Sequence, residues 1–196
     1  RRFFQPVWAT PRIVVHPSWV PVEAGPGQVA IVIDPKMAFG TGGHESTQLC
    51  LELLDLLLSP GDHCLDLGTG SGILGIAAGL LGAGSLRLVD IDPQALENAR
   101  ENLARNRVEA FLHQGSIEAV AGMQFDLVLA NIQSSVLVPL LRPMGQVMGP
   151  GSRVIFSGLL DREEEAFCRQ VEEAGLQVDQ TRRRNEWIAV AARRKA

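Results

Sequence analysis

The chain has 196 residues, 46% of them hydrophobic and 20% charged, the balance of an ordinary globular domain with a core of its own. A net charge of −4 argues against broad binding to a nucleic-acid backbone, and the longest apolar stretch, Ile73 to Ala83, is too short to span a bilayer. Cys50, Cys64 and Cys168 lie far apart without a Cys-x-x-Cys, and His16, His44, His63 and His113 lack metal-ligand spacing, which reads as a cytosolic protein with reduced thiols and no bound metal.

Residues 1–35 carry Pro6, Pro11, Pro17, Pro21, Pro26 and Pro35, and read as a linker or N-terminal extension with short extended pieces at Arg12 to His16 and Gln28 to Ile33. The chain opens with Arg1, no signal peptide is visible, and a preceding part is expected to have been removed. From Glu45 the pattern changes: Leu49, Leu53, Leu56 and Leu57 recur at helical spacing and stop near Ser59-Pro60-Gly61. Strands are then expected at His63 to Leu67, Leu86 to Asp90, Ala110 to Gln114, Phe125 to Ala130 and Arg153 to Ser157. Helices are expected between them at Ile73 to Leu81, Pro93 to Asn106, Ser135 to Met148 and Arg162 to Ala174, with Asp92 capping the one that Pro93 opens. Such alternation specifies an α/β fold, a mostly parallel sheet with helices on both faces. Leu176 to Thr181 and Trp187 to Ala191, separated by Arg182 to Glu186, close the chain as an antiparallel hairpin. The basic runs at Arg182 to Arg184 and Arg193 to Lys195 read as solvated charge.

The segment Asp66-Leu67-Gly68-Thr69-Gly70-Ser71-Gly72 joins the first strand of this series to its helix. The missing side chains at Gly68, Gly70 and Gly72 allow a ligand to lie against bare backbone. Asp90 follows at the end of the next strand, about 20 residues on, where an acid can accept hydrogen bonds from ribose hydroxyls. Two templates fit. Gly70-Ser71-Gly72-Ile73-Leu74-Gly75 is formally a dinucleotide fingerprint, and small residues also recur where a helix packs tightly on a sheet. The other template, acid-x-Gly-x-Gly-x-Gly, resembles motif I of the class I S-adenosylmethionine methyltransferases, and it explains Asp66, placed two residues before the first glycine and within reach of an amino acid end of a cofactor. In an open α/β sheet ligands bind beyond the carboxyl ends of the strands, and Gly68, Asp90, Ser116 and Asn131 each follow or end a different expected strand.

Asp34 to Thr47, with Phe39-Gly40-Thr41-Gly42-Gly43-His44-Glu45-Ser46-Thr47 at its centre, resembles the Phe-Gly-Thr-Gly-x-His-x-Thr-Thr segment of the ribosomal protein L11 methyltransferase family. Phe125 to Ile132 resembles that family's Asp-x-x-x-Ala-Asn-Ile segment, and Val89 to Pro93, Gly115 to Ala119 and Pro17-Ser18-Trp19 add to the likeness. The resemblance implies a doubly wound, seven-stranded, mostly parallel sheet of the Rossmann-like class I methyltransferase fold, its last strand antiparallel, over residues 36–196. It implies S-adenosyl-L-methionine as methyl donor, and ribosomal protein L11 as protein substrate, methylated at lysine ε-amines and the N-terminal α-amine. It carries cofactor binding to Thr47, Gly68, Asp90 and Asn131. The chain departs from the family at Ser46, which keeps a hydroxyl, and at Gln133-Ser134-Ser135 after the Asn-Ile pair; the family's small N-terminal recognition domain is not among these residues, so a catalytic fragment or a shorter relative with another protein substrate is expected.

Within that frame Asn131 is the expected catalytic residue, orienting the acceptor amine through its carbonyl groups. Thr47 is expected on the methionine carboxylate, Ser116 and Ile117 beside the adenine, and the Phe39 to Gly43 loop as a lid that His44 orients. Trp187 is either a wall of the acceptor pocket or a core strand residue. No strong general base is assigned, and no Asn-Pro-Pro-aromatic motif follows Ala130, which weighs against planar nitrogens of bases as acceptors. A different protein substrate, an RNA or a small molecule are the competing acceptors, and direct nucleic-acid or membrane binding is not expected.

Overall fold

The computed structural model describes residues 5–34 and 42–195. The proline-rich beginning forms a small sheet of its own: β1 (Val7–Thr10) pairs antiparallel with β2 (Ile13–His16), which pairs parallel with β3 (Val29–Val32). Only the latter two strands are foreshadowed by the sequence pattern. Ile13, Val15, Ile31 and Ile33 are buried in the same apolar cluster as the helices that follow, so this piece shares a core with the rest of the chain. Two polar clasps hold it there. Thr10 and Arg12 each hydrogen-bond a carboxylate oxygen of Asp55 at 2.8 Å. The Asn106 side chain accepts from the Val32 N–H and donates to the Val32 carbonyl, both at 2.8 Å, as a neighbouring strand would.

After α1 (Glu45–Leu57), the elements alternate as β4 (His63–Leu67), α2 (Ile73–Leu80), β5 (Ser85–Asp90), α3 (Pro93–Asn106), β6 (Phe111–Gln114), β7 (Phe125–Asn131), α4 (Ser134–Gln146), β8 (Met148–Leu160), α5 (Glu164–Glu173), β9 (Leu176–Arg184) and β10 (Trp187–Arg194). The seven strands β4 to β10 form one sheet in the order β6-β5-β4-β7-β8-β10-β9. Its first five strands are parallel, and β10 runs antiparallel to both neighbours. This is the expected doubly wound sheet with an antiparallel last strand. Side chains alternate across it: Leu127 and Leu129 of β7 belong to the layer of α1, α2 and α3, whereas Val128 and Ala130 belong to the layer of α4 and α5. Phe156 of β8 meets Phe167 of α5 edge to face, with centroids 5.3 Å apart.

The details that differ from expectation have local causes. In α1 the buried residues are Ser46, Thr47, Leu49, Cys50, Leu51, Leu53 and Leu54, and Leu56, just past that face, is 58% exposed. Strand β8 begins at Met148, not Arg153, since Met148 pairs with Phe125 before the ladder skips to Leu127 and Arg153. The closing hairpin is longer than its apolar runs: Arg184 pairs with Trp187, leaving a two-residue turn in which Asn185 adopts φ 51°. Among the described residues no helix is long and apolar enough to cross a membrane, and no group of three or more His, Cys, Asp or Glu is arranged to hold a metal ion.

Candidate active site

Strand order reverses between β4 and β7: from β4 the chain builds outward to β5 and β6, and from β7 outward to β8. Side chains and loops cannot close over such a switch point, so a crevice opens beyond the carboxyl ends of these strands. There the structure holds a cavity of about 520 Å³, within the range of about 300–1,000 Å³ typical of small-molecule sites. Thr47, Asp66, Gly68, Gly70, Asp90, Ser116 and Asn131 all line it. Gly72 and Ile117 do not.

The wall made by the turn after β4 is closed by its own hydrogen bonds. Asp66 Oδ2 accepts from the Thr69 hydroxyl at 2.7 Å and from the Gly75 N–H at 2.9 Å, tying the start of the turn to the first turn of α2. Burial of this carboxyl, together with the nearby Asp90 charge, pushes it up to about 6 against the pull of those two hydrogen bonds. Asp90 Oδ2 accepts from the Gly70 N–H at 2.9 Å, and Asp90 Oδ1 from the Asp92 N–H at 3.0 Å. Asn102 of α3 donates to the Ser71 carbonyl at 2.8 Å. Gly68 has φ +69°, and a Cβ there would lie 2.7 Å from Ile132 Cδ1. Gly72, the left-handed N-cap of α2, faces Ala99 of α3 instead of the cavity, so what its missing side chain permits is close packing between helices.

The wall made by the turn after β7 is different. The Asn131 Nδ2 donates to the Thr47 hydroxyl of α1 at 3.3 Å. Its Oδ1 is buried and, among the described residues, has no hydrogen-bond partner. A buried amide oxygen left unpaired costs about 1–3 kcal/mol, so a donor from outside the chain would be gained here; Asn98 Oδ1 of α3 is the other such atom among the described residues. The backbone of the next residue is pinned: the Ile132 N–H donates to the Ser157 carbonyl at 3.0 Å, and Gly158, at φ +78°, lets that backbone pass where a Cβ would come within 2.9–3.0 Å of it. Beyond it Ser134 hydrogen-bonds Glu163, whose carboxyl that bond and the Leu160 N–H hold below the usual range.

Around the remaining edge, the Gly115 N–H donates to the Asp90 carbonyl at 3.0 Å, which brings Ser116 to the cavity beside the acid. Ile117 turns away into the second core layer. Ile91, unremarked by motif reasoning, lines the cavity although 74% exposed, an apolar side chain held out in solvent next to Asp90. Its signal in the sequence is faint: an apolar residue one beyond the strand-end acid. His44 caps α1 by accepting from the Ser46 N–H, and its ring meets Trp187 edge-on with centroids 4.6 Å apart. Trp187 is partly buried against the first core layer and does not line the cavity. Of the loop expected to act as a lid, residues 39–41 lie outside the described residues.

The family described as ribosomal protein L11 methyltransferase (PrmA) matches residues 1–195. The chain is 43% identical over 202 residues to a ribosomal protein L11 methyltransferase of Pelobacter propionicus, covering 98% of this chain and 64% of that protein. It is 39% identical over 192 residues to one of Symbiobacterium thermophilum, covering 98% of this chain and 63% of that protein. The chain thus spans less than two thirds of the length of these relatives. In three dimensions it is similar to the crystal structure of a ribosomal protein L11 methylase from Lactobacillus delbrueckii subsp. bulgaricus, with a TM-score of 0.90 and 31% identity over 97% of this chain and 99% of that one.

Proposed function

The chain belongs to the ribosomal protein L11 methyltransferase family, and on that premise we propose that it is an S-adenosylmethionine-dependent protein N-methyltransferase whose acceptors are lysine ε-amines or the N-terminal α-amine of ribosomal protein L11. The observation that carries the reading is Asn131 Oδ1, a buried acceptor with no partner among the described residues, on a residue lining the cavity that Asp90 flanks. Its place of action would be the cytoplasm, where ribosomal proteins are made.

The residues present fit an adenosylated amino acid. A carboxylate offers about four acceptor sites, so Asp90 has lone pairs for two ribose hydroxyls beyond those that hold Gly70 and Asp92. Ile91 and Ala95 supply an apolar flank for a purine, with Ser116 at its edge. Thr47 lies in the first turn of α1, where the helix N–H groups favour an anion such as the methionine carboxylate. The bare backbone at Gly68 and Gly70, both at positive φ, leaves room between these two ends. When bound, S-adenosylmethionine supplies a methyl group activated by a sulfonium.

The chain's own part is to present the amine. A lysine with a pKa near 10.4 must give up a proton before its lone pair is free, and desolvation in a closed pocket favours the neutral form. Asn131 Oδ1 would accept one remaining N–H of that amine, turning its lone pair toward the methyl group. An amide oxygen carries no proton to return to the amine, which a hydroxyl or a charged imidazole would. With water taking the proton released, no strong base is needed. Positioning and exclusion of water can supply about 7–11 kcal/mol in well-oriented reactions.

The test is transfer of tritium from methyl-labelled S-adenosylmethionine to purified ribosomal protein L11. Label is expected in L11, and Asn131→Ala is expected to depress turnover more than cofactor affinity. Label in RNA, or only in small molecules of a lysate, would overturn the acceptor reading.

A further inference from the structure

We infer that Thr47 is a positioning residue that decides which end of the Asn131 amide faces the acceptor, an inference that rests on the proposed N-methyltransferase reading. An amide can present either its oxygen or its NH2, and the two have opposite consequences. Oxygen accepts from the incoming amine. The NH2 would donate to the amine's lone pair and block the attack. The choice lies in the one side-chain hydrogen bond that Asn131 makes among the described residues, Nδ2 to Thr47 Oγ1 at 3.3 Å.

Donor and acceptor accounting fixes the direction. A threonine hydroxyl has one proton and two lone pairs. The Thr47 side chain is fully buried, and among the described residues its proton has no acceptor, while a lone pair receives the Asn131 Nδ2. A carboxylate set at this helix N-terminus is acceptor-only, so it would take that single proton. Once the proton is committed there, the hydroxyl can only accept from Asn131, and Nδ2 must stay turned toward it. Oδ1, buried and without a partner among the described residues, is then held toward the acceptor. The order of donation runs from acceptor amine to Asn131 oxygen, from Asn131 NH2 to Thr47 oxygen, and from Thr47 hydroxyl to carboxylate. Reversing any one link breaks the others. Occupation of the cofactor's amino acid end thereby prepares the acceptor end, without any movement of the backbone.

Two measurements test this, one of them independent of catalysis. In 15N-labelled protein, the Asn131 side-chain NH2 resonances are expected to shift when S-adenosylhomocysteine is added. They are expected to keep that response in Thr47→Ser and lose it in Thr47→Val, which has nearly the same shape without the hydroxyl. In the transfer assay at saturating cofactor, Thr47→Val is expected to lower kcat about tenfold, with Thr47→Ser near wild type. In an Asn131→Ala background, Thr47→Val is expected to add no further loss. Independent losses that multiply, or a change confined to cofactor KM, would overturn the inference, as would an Asn131 resonance indifferent to Thr47. If the resonance responds as described but the wild-type protein methylates no amine, the functional reading fails and the Thr47–Asn131 coupling stands.

Discussion

The turn that ends β4 and the turn that ends β7 stand side by side at the same cavity, and they are built on opposite terms. In the first, Asp66, Thr69, Gly75, Gly70, Asp90, Ser71 and Asn102 are joined by hydrogen bonds of 2.7–2.9 Å before any ligand arrives. In the second, the backbone is clamped by Ser157 and Gly158 but, among the described residues, the amide oxygen of Asn131 is left unpaired. Under the proposed function the difference would give them different work. A site that must grip the same nucleoside in every cycle gains from being preassembled. A site that must admit and release a side chain of another protein gains from an unmet hydrogen bond that only the right donor completes.

The harshest way to break the second turn is Gly158→Ala. Its φ of +78° is strained for any side chain, and the new Cβ would press on the carbonyl carbon, oxygen and nitrogen of Ile132. A loss of about 2–5 kcal/mol is expected in urea unfolding, and surviving folded protein should lose turnover beyond its loss of cofactor affinity. Wild-type stability would mean that Ile132 is free to move.

The first turn can be challenged by pH. Asp66 titrates near 6 in the folded chain against 3.8 ordinarily, so the folded form binds this proton more tightly than the unfolded one. Its contribution is fully present below the ordinary value and is lost as pH rises through 6, a change on the order of 3 kcal/mol. Asp66→Asn, neutral throughout, should flatten this part of the profile of Tm against pH between 4 and 7. A profile that keeps the same slope in the variant would place the titration elsewhere.

Asp90→Ala should weaken S-adenosylhomocysteine binding by about 1.5–3 kcal/mol in calorimetry, the range for hydrogen bonds to a charged group. Unchanged affinity would remove the ribose from this acid. The smallest effect should come from outside both turns. Asn106→Ala removes the two hydrogen bonds to Val32 and should lower stability by about 1–2 kcal/mol with cofactor affinity intact. If affinity fell as well, the N-terminal sheet would have to be counted as part of the site.

What was legible in the chain follows the same division. Alternation of apolar runs specifies the parallel sheet, and the rule that ligands gather at strand ends places Gly68, Asp90, Ser116 and Asn131 on one rim, where all four line the cavity. Motif glycines were harder to separate. Gly68 and Gly72 look equivalent in sequence, yet one borders the cavity and the other lies against Ala99, because a missing side chain serves ligand approach and helix packing alike. The side chain of Ile117, expected beside the adenine with Ser116, lies in the core instead, because a single turn of 3-10 helix from Ile117 to Val120 turns it inward. Gly158 carried no signal at all. Its reason is the backbone of Ile132, far off in the chain, and no local pattern encodes such a contact. The orphaned oxygen of Asn131 is likewise a property of the assembled cavity, visible only once Thr47 has taken the other end of the amide.

The most direct measurement is a crystal structure of the chain with S-adenosylhomocysteine. The ribose hydroxyls are expected on the Asp90 carboxylate, the amino acid carboxylate on the Thr47 hydroxyl, and the sulfur facing Asn131. A ligand bound away from Asp90, or one lying in the cavity with Asn131 turned out of reach of its sulfur, would contradict the division of labour between the two turns.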